Sequence, residues 1–594
     1  MGDYSTRRLG ALHRRTTTAL LAAAALTLGL VTGPTAPPAA AAPDGPHQVT
    51  AVLFQWPWTS IARECTTTLG PAGYGYVQTS PPQEHVQGPE WWTSYQPVSY
   101  RLESKLGTRA EYASMVATCR DAGVEVIADV VINHMSGKSE GGIGFAGSPF
   151  EHYSYPGIYQ PQDFNDCRRE IRDYTDAWEV QHCDLVGLAD LRTGSTYVRD
   201  RIAAYLEDLL SLGVRGFRID AAKHMPVEDV EAILTGLDDQ SVYVVQEVIG
   251  AAGEPIRDTD YLHLGDVHEF DYGRELKRVF QDGDLAWLRT FGEQWDGLMP
   301  ADRAGVFVDN HDTERNGETL AQTDGSAYTL ANVFMLAWPY GSPAVHSGYG
   351  FTDYDAGPPQ ASDGTVSNPT CYSDGWRCQH DWAEIRGMVG FRNAVGDAGV
   401  AHWWDDGGDR IAFGRGDRGH VVINHAAGTL TRTVQTSLPE GTYCDVTRGG
   451  PTASGCSGPE VQVGADGRFA AAVPAGTAVA LHVGALSGAG QGPGAGDPGD
   501  ATLGFAVTAP TTWGQEIRVV GDHPALGSWD PAAAVALSAE DHPVWRGEVA
   551  LPPGTRVEYK YVRVQGTQVS WEGGGNRVAT VPGSGSLTLQ DAWR

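Results

Sequence analysis

The sequence predicts an α/β protein: a (β/α)8 barrel carrying one small inserted domain, followed by two all-β sandwich domains. Three observations carry that expectation. Between residues 50 and about 398, short apolar runs alternate with amphipathic helical stretches, the rhythm of a parallel barrel. Residues 135–190 interrupt the rhythm with Gly, Pro, Tyr and Asp and no helical period, and a loop that long inside a compact domain is usually functional or a small domain. Past Val400 the pattern turns to short strands separated by turn signals, as in sandwiches. The 594 residues are also too many for a single core.

Taken in order, the chain opens on an export signal, expected over residues 1–42. Arg7, Arg8, Arg14 and Arg15 supply its positive region, residues 19–31 an apolar run short for a bilayer, and Ala40-Ala41-Ala42 a small-residue cleavage site. Arg14-Arg15 leaves general and twin-arginine export both open. No later stretch is long and apolar enough to span a membrane, so a secreted, extracellular protein is expected. Strands are expected at 50–54 and 75–78, and a helix at 109–122 stopped by Gly123. Residues 124–132 form a nearly continuous apolar run, the kind buried on both faces. After the insertion come a helix at 198–212 and strands at 214–219, 242–245 and 306–308. The barrel domain is expected over 43–398, with the insertion at 135–190. An all-β module is expected over 399–485, with strands at 410–414, 420–424, 431–435 and 476–483. A Gly/Pro-rich linker follows at 486–499, and then a β-sandwich at 500–594.

The balance of 42 Lys+Arg against 73 Asp+Glu, net −31, argues against nucleic acid or an anionic membrane as partner and favours a neutral, soluble substrate. Eight cysteines in an exported chain read as disulfides rather than metal ligands. Cys167 and Cys183, Cys371 and Cys378, and Cys444 and Cys456 are natural short loops. Cys65 and Cys119 remain by elimination, although sequence alone proves no connectivity.

Polar clusters stand at four strand ends. They are Asp129 with Asn133-His134, Arg218-Ile219-Asp220 with Lys223-His224, Gln246-Glu247, and Asp309-Asn310-His311-Asp312. In a barrel of this type the C-terminal strand ends converge on one mouth, which would gather Asp220, Glu247 and Asp312. Residues i and i+2 share a strand face, and an Arg beside an Asp favours the ionised carboxylate. Such a pair is equally a structural ion pair on a buried strand. Two carboxylates flanking a scissile bond are what glycoside hydrolysis requires: one ionised to attack, the other kept protonated to protonate the leaving oxygen. Asp220 suits the first role. Glu247, following an apolar run, suits the second. Retention of anomeric configuration needs the pair roughly 5 Å apart.

The four segments Asp129 to His134, Gly216 to His224, Glu247 to Gly250 and Phe307 to Asp312 resemble, in order, the four sequence regions of the α-amylase family, glycoside hydrolase family 13. Residues 88–100 (GPEWWTSYQPVSY), 185–191 and 378–393 are similar to the animal-type members. The likeness covers most of 47–484. It implies that Asp220 is the nucleophile, Glu247 the general acid and then base, and Asp312 a transition-state stabiliser. It also implies substrate contacts from Trp91, Trp92, Tyr95, Gln96, His134, Tyr174, Arg218, Lys223, His224 and His311. A structural Ca2+ is implied between barrel and insertion, held by Asn133, Asp190 and the carbonyls of Gln181 and His224, all oxygens as a hard cation requires. Gln181 departs from the animal-type arginine, which a carbonyl ligand tolerates. Animal-type members hold an activating chloride using an arginine where Arg218 stands, an asparagine where Asn310 stands and a basic residue near position 344. Ala344 cannot coordinate an anion, so no chloride is expected. Only Thr313-Glu314-Arg315-Asn316 stand between Asp312 and the next segment, so the Gly-rich mobile loop of the family is expected to be trimmed.

Residues 502–594 resemble glucoamylase-type starch-binding domains, carbohydrate-binding module family 20. The resemblance implies a stacking platform of Trp529 and Trp571 with hydrogen bonds from Lys560 and Asn576. Trp513 falls in a second site whose other aromatic is not evident, and Trp545 falls in the core. The implied protein is a secreted, monomeric, retaining endo-α-1,4-glucanase acting on starch, amylose, amylopectin, glycogen and maltooligosaccharides. The rivals are an exo-acting or glycosyl-transferring relative on the same barrel, and a non-catalytic starch-binding protein.

Overall fold

The computed structural model of the chain describes residues 49–488 and 501–594, apart from 293, 374, 453, 513–514, 528, 530, 532–533, 552–554, 566–567 and 582–585. The expected signal, most of the expected linker and Trp513 lie outside the described residues.

Eight parallel strands close a TIM barrel: β1 (Thr50–Leu53), β2 (Tyr76–Thr79), β3 (Glu125–Val130), β4 (Gly216–Ile219), β5 (Tyr243–Gln246), β6 (Asp266–His268), β7 (Ala304–Phe307) and β8 (Ser342–Ser347). Each pairs with its sequence neighbour, and β8 closes on β1 in the register Thr50↔Ala344 to Leu53↔Ser347. Strands β4, β5 and β7 are buried at every position and mostly apolar, as strands covered on both faces are. Strands β6 and β8 lack that signature. Asp266-Val267-His268 is short and polar, and β8 carries Pro343 and His346. They are strands because barrel closure supplies both neighbours.

Helices α1 (Trp58–Glu64), α2 (Arg109–Asp121), α3 (Thr196–Ser211), α4 (Val227–Leu234), α5 (Phe270–Asp282), α6 (Ser326–Ala337) and α7 (Ala383–Val395) belong to the barrel domain. Helix α2 starts where a capping box permits: the Thr108 side chain accepts from Glu111 N–H, and the Glu111 carboxylate accepts from Thr108 N–H at 2.8 Å.

The insertion lies between β3 and α3. It holds two small two-stranded pieces, Gly142–Ile143 with Pro149–Phe150 and Cys167–Glu170 with Cys183–Asp184. An isolated bridge, His134↔Asp190, ties its end back to the chain leaving β3. Beyond the barrel, the strands Val400–Asp405, Arg410–Arg415, Gly419–Asn424 and Thr477–His482 form one antiparallel sheet, packed with the Leu430–Gln435 and Arg468–Val473 pair around a core of its own. The last domain has a four-stranded and a five-stranded sheet around a core that includes Trp545, as expected. The disulfides are Cys65–Cys119, Cys167–Cys183, Cys371–Cys378 and Cys444–Cys456, the four expected pairs.

Candidate active site

Strand β4 ends at Ile219 and the chain turns at once. Ala221 takes φ 49°, in the left-handed region that costs a non-glycine residue about 1–3 kcal/mol. The turn leaves Asp220 on the cleft wall and aims the Ala221 N–H at Glu247 Oε2, 2.9 Å away. Two residues before Asp220, Arg218 reaches the same place. Its Nη1 donates to Asp220 Oδ1 at 2.7 Å and Asp129 Oδ1 at 2.8 Å, and its Nη2 lies 2.8 Å from Glu247 Oε1. Tyr95 Oη donates to the other oxygen of Asp129 at 2.9 Å.

One guanidinium thus faces three carboxylates, with Asp312 a fourth nearby. A single positive charge in a buried site cannot hold four groups ionised. Burial pushes Glu247 up to about 8, Arg218 opposes the shift, and the charges of Asp220 and Asp312 add to it. Burial likewise pushes Asp312 up to about 6 and Asp129 up to about 7, with Arg218 opposing and Asp220 adding. His311 lies between the rings of Phe54 and Tyr95, at centroid distances of 4.8 and 4.9 Å. Its Nε2 is 3.4 Å from Asp312 Oδ2, and burial holds its pKa well below the ordinary value. It therefore offers a neutral imidazole.

These groups line a cleft of about 550 Å³. Trp91, Trp92, Tyr95, Gln96, His134, Tyr174, Asp220, Lys223, His224, Glu247, His311 and Asp312 all reach it. Arg218 does not. Expected among the substrate contacts, it is 1% exposed and spends its donors on the carboxylates behind the wall. Both ring nitrogens of His134 are engaged, with the Tyr95 carbonyl at 3.0 Å and Asn133 Nδ2 at 3.2 Å. Lys223 pairs with Glu254 and donates to the Ile249 carbonyl at 2.7 Å, so its ammonium stands fixed above the Tyr174 ring. Leu185, Val186, Leu188, Ala221, Ile249 and Tyr354 also line the cleft and were not foreseen. The signal for Leu185 and Leu188 lay within the matched segment 185–191. Tyr354 follows β8 on a loop with no periodic signature, held where Trp91 Nε1 donates to its carbonyl at 2.9 Å.

Asn133 and Asp190 are brought side by side by the His134↔Asp190 bridge. Asn133 Oδ1 is buried without a hydrogen-bond partner among the described residues. Asp190 is buried too, and desolvation pushes its carboxyl well above the usual range. His224 Nδ1 bonds the Val180 carbonyl at 3.0 Å, which brings His224 next to Gln181. An orphaned carbonyl oxygen near a buried carboxylate, whose Oδ2 accepts from Asn165 Nδ2 at 2.7 Å, fits a hard divalent cation.

In the last domain, Trp529 and Trp571 lie 6.4 Å apart between centroids and are tilted by 37°, with Trp571 43% exposed. Lys560 Nζ donates to the Gly574 carbonyl at 2.8 Å, just past Trp571 in the chain, and Asn576 Nδ2 donates to Glu558 Oε2 at 3.1 Å.

Residues 82–248 match the family profile of the α-amylase catalytic domain, 403–484 that of the α-amylase C-terminal all-β domain, and 501–591 that of the starch-binding domain. The α-amylase of Streptomyces violaceus is 53% identical over 587 residues, spanning 98% of this chain and all of that protein. The chain belongs to the α-amylase family. The α-amylase of Thermomonospora curvata is 49% identical over 614 aligned positions, again across 98% of this chain and all of its own length. Among solved structures, α-amylase I of Eisenia fetida superposes with a TM-score of 0.71 at 37% identity, covering 75% of this chain and 99% of that one. A variant of the Eisenia enzyme has been solved with maltohexaose. This α-amylase is therefore a starch-degrading hydrolase with a starch-binding domain. Members of its family commonly bind calcium.

Proposed function

We propose that this α-amylase cuts internal α-1,4 bonds of starch with retention of configuration, that it is secreted, and that its last domain holds it to granules. The observation that carries the reading is the joint clamping of Asp220 and Glu247 by one guanidinium, with Glu247 the group pushed up to about 8. Two carboxylates on one guanidinium are close neighbours, which supports the close spacing of retaining glycosidases over the roughly 6.5–9.5 Å of inverting ones.

In the first step Glu247 gives its proton to the glycosidic oxygen as the bond from that oxygen to C1 breaks. An Asp220 carboxylate oxygen forms a bond to C1, giving a glycosyl ester, and the shortened chain leaves as an alcohol. In the second step Glu247, now a carboxylate, takes a proton from water. The water oxygen bonds C1 and Asp220 is released. Asp312 and His311 hydrogen-bond sugar hydroxyls, while Trp91, Trp92 and Tyr95 supply apolar faces for sugar rings. Arg218 positions Asp220 and Glu247 without touching substrate.

Asn133 Oδ1, Asp190 and the carbonyls of Gln181 and His224 would hold a calcium ion, whose chemistry there is structural: it neutralises Asp190 and braces the insertion beside the cleft. Asp220→Asn tests the reading. Turnover should vanish while adsorption to starch granules persists, and retained activity would remove Asp220 from its role. On long amylose, early loss of iodine staining with mixed products supports internal cleavage, and accumulation of one short product favours end attack.

A further inference from the structure

Next to His311, the ends of β7 and β8 hold a second group of ionisable side chains that the hydrolysis does not use. Asp309 follows β7, Glu314 sits in the short helix Thr313–Asn316, and His346 is on β8. All three are buried. One candidate donor atom from each lies within 4.8 Å of the others.

Among the described residues, each carboxylate has one oxygen tied and one left over. Tyr328 Oη donates to Asp309 Oδ1 at 2.9 Å, while Asp309 Oδ2 has no partner. Arg315 Nη1 pairs with Glu314 Oε1, while Glu314 Oε2 has no partner. His346 Nε2 is 3.3 Å from Glu314 Oε1, yet neither ring nitrogen makes an aligned hydrogen bond. Outer donors that anchor one oxygen of a carboxylate and leave the other free are how proteins orient metal ligands.

We propose that Asp309, Glu314 and His346 bind one zinc-class divalent transition-metal ion, separate from the calcium site. An imidazole with two carboxylates suits such an ion and not calcium, which takes six to eight oxygens. A cavity of about 20 Å³ lined by Asp309 and His346 adjoins the cluster, room for a water as fourth ligand. Zinc bonds of about 2.0–2.2 Å draw the three atoms inward. The ion stiffens the catalytic loop. Asn310 Oδ1 accepts from the N–H groups of Asp312 and Thr313 at 2.9 and 2.8 Å, and Arg315 Nη1 donates to the His311 carbonyl at 2.9 Å. The rival state is metal-free, with a protonated His346 joining Arg315 to balance Asp309 and Glu314.

The test uses the full chain, stripped with chelator, saturated with Ca2+ and equilibrated with Zn2+ at low micromolar free concentration. Metal content and thermal midpoint are measured, and Co2+ is substituted for a visible spectrum. A single equivalent of zinc is expected, with a raised midpoint. The zinc should be lost in His346→Gln and in Asp309→Asn but kept in Asp190→Asn. A wild-type chain that retains no zinc and shows no midpoint shift overturns the site in favour of the protonated ion pair. Zinc kept equally by both variants overturns it by placing the ion elsewhere, for instance on the catalytic carboxylates. Should a variant fail to fold, the wild-type stoichiometry and the presence or absence of a low-symmetry Co2+ band still decide.

Discussion

Replacing Arg218 by leucine removes one guanidinium from among four buried carboxylates. Asp129, Asp220 and Glu247 each lose a charged partner now at 2.7 to 2.8 Å. Removing one partner of a buried pair typically costs about 3–5 kcal/mol, because the other charge is left uncompensated. The loss should depend on pH, and its sign follows from proton counting. Glu247 and Asp129 stand at about 8 and about 7 in the folded chain against ordinary values of 4.5 and 3.8. The native state therefore holds protons that the unfolded chain has released, so this site's contribution to stability falls as pH rises from roughly 4 to 8. Without the guanidinium the carboxylates hold their protons to still higher pH, and the fall continues further into the alkaline range. We expect Arg218→Leu to cost about 3–5 kcal/mol at pH 8.5 and clearly less at pH 5.5, where protonation relieves the buried charges. Arg218→Lys, which keeps the charge but loses the fork, should fall between. Urea denaturation followed by tryptophan fluorescence at the two pH values measures both. A loss below about 1 kcal/mol, or one equal at both pH values, would refute the idea that this arginine is what makes the carboxylate cluster tolerable.

Four further outcomes are expected. The alkaline limb of kcat/KM should report Glu247 losing its proton near pH 8, and Glu247→Gln should lower kcat about 10²–10⁴-fold and erase that limb. Asp190→Asn should lower the thermal midpoint and abolish its response to chelator, whereas wild type with calcium at about 100 times its Kd should gain about 2.7 kcal/mol; an unchanged response would move calcium away from Asp190. Trp571→Ala, which removes half of the exposed platform, should weaken granule adsorption about tenfold, or about 1.4 kcal/mol, with a smaller effect on soluble maltooligosaccharides. Turnover in chloride-free buffer should match turnover with chloride, because Ala344 offers no charge to an anion; a several-fold rise on adding chloride would contradict this.

Much of the site was legible because its parts are local. Val214 to Ile219 and Val242 to Val245 each read as a buried strand with a carboxylate just past its end, and the strands Gly216–Ile219 and Tyr243–Gln246 are followed at once by Asp220 and Glu247. The four cysteine pairings also follow from short-range chemistry or from what remained. Strands β6 and β8 were missed because three or six residues with Asp, His, Ser and Pro carry no apolar run. Arg218 was misplaced for a related reason. Its distance of two residues from Asp220 is visible in the chain, but whether its head faces the cleft or the wall depends on Asp129 and Glu247, which come from other strands. Tyr354 and the left-handed Ala221 left no trace in composition or spacing.

The order of residues by itself determined six of the eight barrel strands, which carboxylates stand near their ends, and where a barrel gives way to sandwiches, because periodicity and end signals act over a few residues. Only the tertiary structure decided that one arginine serves three carboxylates, that burial pushes Glu247 and Asp129 upward together, and that Asp309, Glu314 and His346 meet with unspent donor atoms. Burial and charge proximity set those outcomes, and both depend on what closing the barrel brings within a few ångströms rather than on distance along the chain.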